Sequence, residues 1–449
     1  MTMKPLSRRR FLANTALATT AAIAAPYVHG VYAAGSLSVG FWDHWVPGAN
    51  DTMTKLCNEW AKKEKVDIKI DYITSQGNKD ILTAAAEYQA KSGHDSLQMP
   101  AWQPLDKADE LESMDDVMKD LIAENGKVSA AATYLGNLDG QWVGVPQASG
   151  SQVKPPLTRI SYMKEMAGID VQKMYPLGAP PDKELADKWT WEALLAAAEK
   201  CFKGGKPFGL GLGQTSDSVD FVGSVFSAYG AVLVNEKGDI TVKSDATKQV
   251  LEFFQKLVKV LPPDVFAYDD ASNNKWLIGD NGALIMNPPS AWAVAKRDNP
   301  KVAADCWTIQ APSGPKGRFA PSQPYFQTVW KFSPNKSAAK SLIRYISSRS
   351  SIEQLVAASV GYDIPAFANL LDFDTWKTVE PPKGVVYNYP PRFGTIESIA
   401  AAPAPPKIAV QIYVQATMTK MINKCTQGGQ SVAAAIDWAS SELEGFMRT

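Results

Sequence analysis

The chain has 449 residues, with 46 basic and 46 acidic side chains and 13 tryptophans. That charge balance gives no attraction to nucleic acid or to an anionic membrane, and no apolar run beyond the N-terminal region approaches the roughly 18 residues a membrane span needs. Cys57, Cys201, Cys306 and Cys425 are far apart and form no CxxC pair, and only His44 and His94 lie beyond residue 33, which argues against a histidine-rich metal centre.

In chain order, Ser7, Arg8, Arg9, Arg10, Phe11 and Leu12 precede a weakly apolar, Ala-rich run over 16–25, and then Val31, Tyr32 and Ala33 offer small residues to a peptidase. That order is an export signal, and the Arg pair before Phe-Leu resembles the twin-arginine type, which exports folded proteins. No cysteine sits at the cleavage site, so a periplasmic protein without a lipid anchor, starting near Ala34, is expected. Without residues 1–33 and their four basic side chains, 42 basic and 46 acidic groups remain. In an oxidising compartment the four cysteines could supply one or two disulfides or four buried thiols, and sequence does not choose.

Residues 37–42 read as a short buried strand, 43–51 as a polar loop and 52–65 as a helix with Met53, Leu56, Trp60 and Ala61 at helical spacing. Residues 66–72 alternate with period two as a half-exposed strand; 80–91 are helical and 95–99 a third strand. Strand, helix, strand, helix, strand implies a parallel α/β sheet. Further on, 140–146 turn into a strand leaving this first lobe. Thr190 caps a helix over 191–202, and 244–261 form a second clear helix. An apolar strand over 282–286 ends in Asn287, Pro288 and Pro289, and 337–348, 352–359 and 432–447 read as helices. Pro-rich stretches at 176–181, 381–391 and 403–406 read as surface loops, and no internal repeat is present.

The landmarks then fall in a familiar order. Phe41 and Trp42 with the following helix, Asp139 to Pro146 as Asp-Gly-Gln-Trp-Val-Gly-Val-Pro, and Tyr162 to Asp170 resemble segments of family 1 extracellular solute-binding proteins. Trp189-Thr190-Trp191, Gly282 through Trp292 and Ala293, Ala338-Ala339-Lys340 through Ile346, and Gly361 through Pro365 are similar to later segments of the same family. The resemblance spans nearly the whole chain after the signal. The region around Pro155 to Tyr162 and the Asn287 to Trp292 turn depart from the usual pattern, so no ligand carries over from any one relative. The resemblance implies an α/β, two-lobed periplasmic binding protein type II fold with a hinge and a central ligand cleft. It also implies a soluble ABC-importer receptor that binds a small solute, favouring a carbohydrate or polyol, delivers it to a membrane permease and its ATPase, and performs no catalysis. A monomer without metal or cofactor is expected. Lobe 1 is expected at 36–146 and 310–360, and lobe 2 at 147–309 and 361–449.

Loops after parallel strands face such a cleft. Trp42, Asp43, His44 and Trp45 follow the first strand, with Trp42 equally readable as its last core residue. Trp102 and Gln103 follow the third strand; stacking plus a side-chain amide suits a polyol, and packing of the lobe top is the competing reading. Trp292 is the position where the resemblance places a stacking tryptophan, with Asn287 beside it. Gln214 and Asp217 lie in a polar loop entering a helix, where capping would explain an acidic residue as well. Gln323 and Tyr325 sit where the chain returns towards the first lobe, and Arg392 lies with Tyr387 and Tyr389 in a Pro-rich loop.

Catalytic readings are weaker. Gly209-Leu-Gly-Leu-Gly213 lacks the third glycine of a dinucleotide loop, and no GxxxxGK[ST] or GxSxG element occurs. A glycosidase needs only two suitably spaced carboxylates, which sequence leaves open.

Overall fold

The computed structural model describes residues 35–286, 290–379, 382 and 396–448. The export signal, Asn287, Tyr387, Tyr389 and Arg392 lie outside them.

The strands, in chain order, are β1 (Ser36–Trp42), β2 (Asp67–Ile73), β3 (Ser96–Pro100), β4 (Asn137–Leu138), β5 (Gln141–Trp142), β6 (Val145–Val153), β7 (Pro156–Arg159), β8 (Leu284–Met286), β9 (Cys306–Thr308), β10 (Ser313–Gly314), β11 (Gly317–Val329) and β12 (Ile396–Ser398). The first sheet has the order β10-β11-β3-β1-β2, with β6 and β12 also paired to β11. β1 runs parallel to β2 and β3, as the strand–helix alternation requires. β11 enters antiparallel beside β3, from Tyr325 opposite Pro100 to Val329 opposite Ser96. A second, antiparallel sheet has the order β8-β7-β9. Only Lys154 and Pro155 separate β6 of the first sheet from β7 of the second, so the chain passes from one sheet to the other within two residues.

Local chemistry explains most element boundaries. The helix Pro47–Glu64 begins inside the stretch that sequence assigns to a loop, because Pro47 takes the first helical position, where a missing N–H costs nothing. Met53, Leu56, Cys57, Trp60 and Ala61 form its buried stripe, and the left-handed Lys65 ends it. Thr190 accepts a hydrogen bond from the Ala193 amide at 3.2 Å and caps the helix Trp191–Lys203. Ser244 does the same for Asp245–Leu257, whose end passes into the 3₁₀ turn Val258–Val260. The Pro-rich stretch at 403–406 leads straight into the helix Pro406–Val414, again with proline in its first turn, followed by Thr417–Cys425.

Several buried tryptophans give their N–H to a backbone carbonyl, which removes the cost of burying the donor. Trp189 donates to the Gln310 carbonyl, Trp307 to that of Tyr175 and Trp102 to that of Ala400, each at 2.9 Å. All four cysteines are free and buried, so the disulfide alternative does not hold. Segment 361–379 returns to the first sheet's surroundings. The Ala368 amide donates to the Lys127 carbonyl and the Ser129 amide to that of Ala366, which ties this segment to residues 127–129. No helix among the described residues is long and apolar enough to cross a membrane.

Candidate functional site

The site lies beside the antiparallel pair of β6 and β11, next to the point where the chain leaves β6 for the second sheet. β1 ends at Trp42, whose backbone N–H donates to the Gln98 side-chain oxygen at 2.8 Å, while the Gln98 amide donates to the Ser149 carbonyl on β6. The Trp42 ring meets Tyr325 of β11 at 5.4 Å between centroids, Tyr362 at 6.3 Å, His44 at 4.8 Å and Trp45 at 6.4 Å. Trp42, Tyr325 and Tyr362 form a cluster separate from the main hydrophobic core, with Trp45 and Val46 packed against it. Among the described residues, the buried Trp42 Nε1 has no hydrogen-bond partner. An orphan indole N–H in a buried aromatic wall is the kind of group a polar ligand satisfies.

Asp80, at the start of the helix Lys79–Ala90, is buried beside Tyr325. Burial pushes its carboxyl up to about 6, against the Ile81 amide and the Tyr325 phenol, which hold it down. The Tyr325 hydroxyl is itself held well above the usual phenol range, first by burial and then by the charges of Asp80, Asp270 and Asp217. One phenol on β11 thus feels carboxylates from both sides.

The second side is ionic. Lys154, fully buried at the end of β6, donates to Asp217 at 2.7 Å and to Asp220 at 2.8 Å. Both acids stand in the first turns of the helix Ser216–Tyr229, which Thr215 caps. Asn273 donates to the other Asp217 oxygen at 3.1 Å, and the Asp217 amide lies 3.4 Å from Asp270 Oδ1. Burial pushes Asp220 up to about 6 despite Lys154, and pushes Asp270 up as well, with the Asp217 charge adding to it. Lys154 stays firmly charged, because Asp217 and Asp220 outweigh its desolvation.

Several sequence candidates lie together here: Trp42, His44, Trp45 and Tyr325 in the aromatic wall, with Asp217 in the ionic side. The others do not behave as expected. Trp292 is fully buried in the main core, with the Lys296 ammonium 5.4 Å from its ring centroid, so the open face expected of a stacking platform is absent in this structure. Trp102 is buried edge-on to Tyr134, and Gln103 accepts from Lys107 at 2.8 Å, so both serve internal packing. Asp43 is exposed and accepts from Asn50 at 2.8 Å; Gln214 is exposed. Gln323 is buried in β11 opposite Gln152. A cavity of about 340 Å³ separates Trp45, Pro47 and Gly48 from Ala293, Val294 and Arg297 of the helix Ser290–Asp298. Trp45 therefore faces the helix Ser290–Asp298 across that cavity.

Sequence reasoning missed Asp80, Lys154, Asp220, Asp270, Tyr362 and Asp363. The strand-end rule that selects Trp42 and Trp102 would also have reached Asp80, seven positions after the end of β2. Tyr362 and Asp363 lie inside the Gly361 to Pro365 segment and Asp220 follows Asp217 in the same helix entry, whereas nothing local marks Lys154 or Asp270. Among the described residues, no group of three or more His, Cys, Asp or Glu is arranged to hold a metal ion.

Two sheets joined directly through β6 and β7, with a buried site beside the β6–β11 pair, define a two-lobed α/β binding protein. The chain belongs to the family of bacterial extracellular solute-binding proteins, whose sequence model matches residues 55–381. This is a family of binding proteins, not of enzymes. A probable ABC transporter-binding protein of Deinococcus radiodurans is 25% identical over 349 residues, 73% of this chain and 75% of that one. In structure the chain is similar to maltose-bound MalE3 of T. maritima, with a TM-score of 0.73 at 18% identity, covering 92% of this chain and 99% of that one. A tagatose-bound solute-binding protein of Thermotoga lettingae gives 0.72 at 17%, covering 92% and 100%. A mannitol-bound one of Agrobacterium vitis gives 0.66 at 18%, covering 92% and 99%.

Proposed function

We propose that this solute-binding protein captures a small carbohydrate or polyol beside the β6–β11 pair and hands it to an ABC permease driven by its ATPase. The observation that carries the reading is the Trp42–Tyr325–Tyr362 wall with buried carboxylates on either side. An aromatic face stacks on the C–H face of a sugar, while carboxylates accept its hydroxyls. Relatives of the same fold hold maltose, tagatose and mannitol, which agrees in class. The protein acts as a monomer in the periplasm after cleavage near Ala33, and Arg8 and Arg9 direct its export. Lobe 1 comprises 36–146 and 310–360 with 361–379 added, and lobe 2 comprises 147–286, 290–309 and 396–448.

A thermal-shift screen over mono- and disaccharides and sugar alcohols tests the solute class. A ligand at 100 times its dissociation constant stabilises by about 2.7 kcal/mol, which such a screen resolves. A panel with no shift, or a shift that Trp42→Ala leaves intact, would sink the reading. Export is tested separately: the change of both Arg8 and Arg9 to Lys leaves unprocessed precursor in the cytoplasm, and normal processing would remove the twin-arginine assignment.

A further inference from the structure

We propose that His44 and Asp363 form a buried positioning pair that holds strand β6 bent at Gly150 and thereby sets the Trp42–Tyr325 ligand wall. His44 Nε2 lies 3.0 Å from Asp363 Oδ2, and both side chains are almost fully buried. The Val46 backbone N–H donates to His44 Nδ1 at 2.9 Å. A backbone N–H can only donate, so Nδ1 must be the acceptor and Nε2 must carry the proton given to Asp363. The other Asp363 oxygen accepts the Gly150 amide at 3.0 Å. One carboxylate therefore joins the loop after β1, segment 361–379 and β6.

Gly150 is the place where that connection matters. Its φ is +81°, a left-handed conformation in which a side chain is strained. A Cβ there would lie 3.0 Å from Tyr325 Cγ and 3.1 Å from Trp42 Cε3, so the bare backbone packs directly against both rings. Opposite, the pairing of β6 with β11 shifts register between Gln323 and Tyr325. Four residues on, Lys154 binds Asp217 and Asp220 of the second side. The strand is thus fastened at Gly150 to Asp363 and at Lys154 to Asp217 and Asp220, with Gln152 and Val153 between them paired to β11.

Asp363→Asn tests the pair. Asparagine presents one acceptor and one donor to two N–H donors, so in either orientation one N–H faces another. The readouts need no solute. The Gly150 amide is expected to exchange with deuterium about 10- to 100-fold faster, as for loss of a hydrogen bond to a charged group. The ¹⁹F resonance of 5-fluorotryptophan at Trp42, assigned through Trp42→Phe, shifts with it, while Leu157 and Ile285 amides of the second sheet keep their protection. His44→Gln, which retains an N–H donor for Asp363, keeps the Gly150 protection near wild type; its Trp42 resonance is not a control, because the His44 ring itself lies 4.8 Å from the Trp42 ring. Unchanged Gly150 exchange in Asp363→Asn, or acceleration spread equally over Leu157 and Ile285, overturns the proposal. If Asp363→Asn does not fold, His44→Ala is read by the same criteria. The importance of the wall rests on the proposed function, but a failed solute screen and a failed exchange test are separate results.

Discussion

On the aromatic side of the site, the rings of Tyr325 and Tyr362 meet Trp42, the Trp42 amide donates to Gln98 and the nearby Gly150 amide to Asp363. On the ionic side, one buried lysine sits between two aspartates with a third nearby. The aromatic side gains by leaving water, whereas the ionic side loses hydration that only close pairing offsets. The aromatic wall should therefore tolerate small changes with modest stability effects. The ionic side should respond strongly to loss of one partner and to pH.

The sharpest break is Lys154→Met. It leaves the buried Asp220 and Asp270 beside the half-buried Asp217 without a cation, and should cost about 3–5 kcal/mol in urea unfolding at pH 8. Part of that loss should return at pH 5, where the acids take up protons. A variant as stable as wild type at pH 8 would mean that the cluster is not sealed from water.

Trp292→Ala separates core from platform. The ring is fully buried, so the cavity should cost about 3–5 kcal/mol of stability by chemical denaturation. Solute affinity in the folded fraction should change little. A loss of affinity with stability intact would restore Trp292 to the ligand wall.

Asp270→Asn tests the pH arm. The folded carboxyl is pushed up to about 7, against an unfolded value near 3.9. Between those values the native state binds more protons than the unfolded state, so wild-type stability falls as pH rises through this window, and the penalty is complete above pH 7. The variant should melt about 2–4 °C higher than wild type at pH 8, with the gap closing towards pH 4. A gap that widens on acidification would reverse the sign assigned here.

The smallest stability effect belongs to Trp45→Ala. The ring is half-buried between lobe 1 and the cavity facing Ala293 and Val294, and its removal should cost about 1 kcal/mol or less in melting experiments. Its loss should instead weaken binding of the solute identified by screening, about 5- to 100-fold, as for removal of a stacking aromatic. Equal affinity in calorimetry would assign Trp45 to lobe contact alone.

Short-range patterns carried much of this protein into view from sequence. The stripe Met53, Leu56, Trp60 and Ala61, the caps Thr190 and Ser244, and the alternation along β2 all follow from 3.6- and 2-residue periods and from end chemistry, which act within a few residues. Strand ends likewise pointed to Trp42, His44 and Trp45, because parallel strands deliver their following loops to one edge. What tertiary structure alone decided was which side of a junction each large residue faces and which charges meet. Trp102 and Trp292 follow strands just as Trp42 does, yet only packing from Ala400 and the main core puts them inside. Lys154 meets Asp217 across 63 residues and His44 meets Asp363 across 319, distances over which no local preference acts. Those pairs exist because burial leaves each charged or polar group no other partner than the one the fold brings to it.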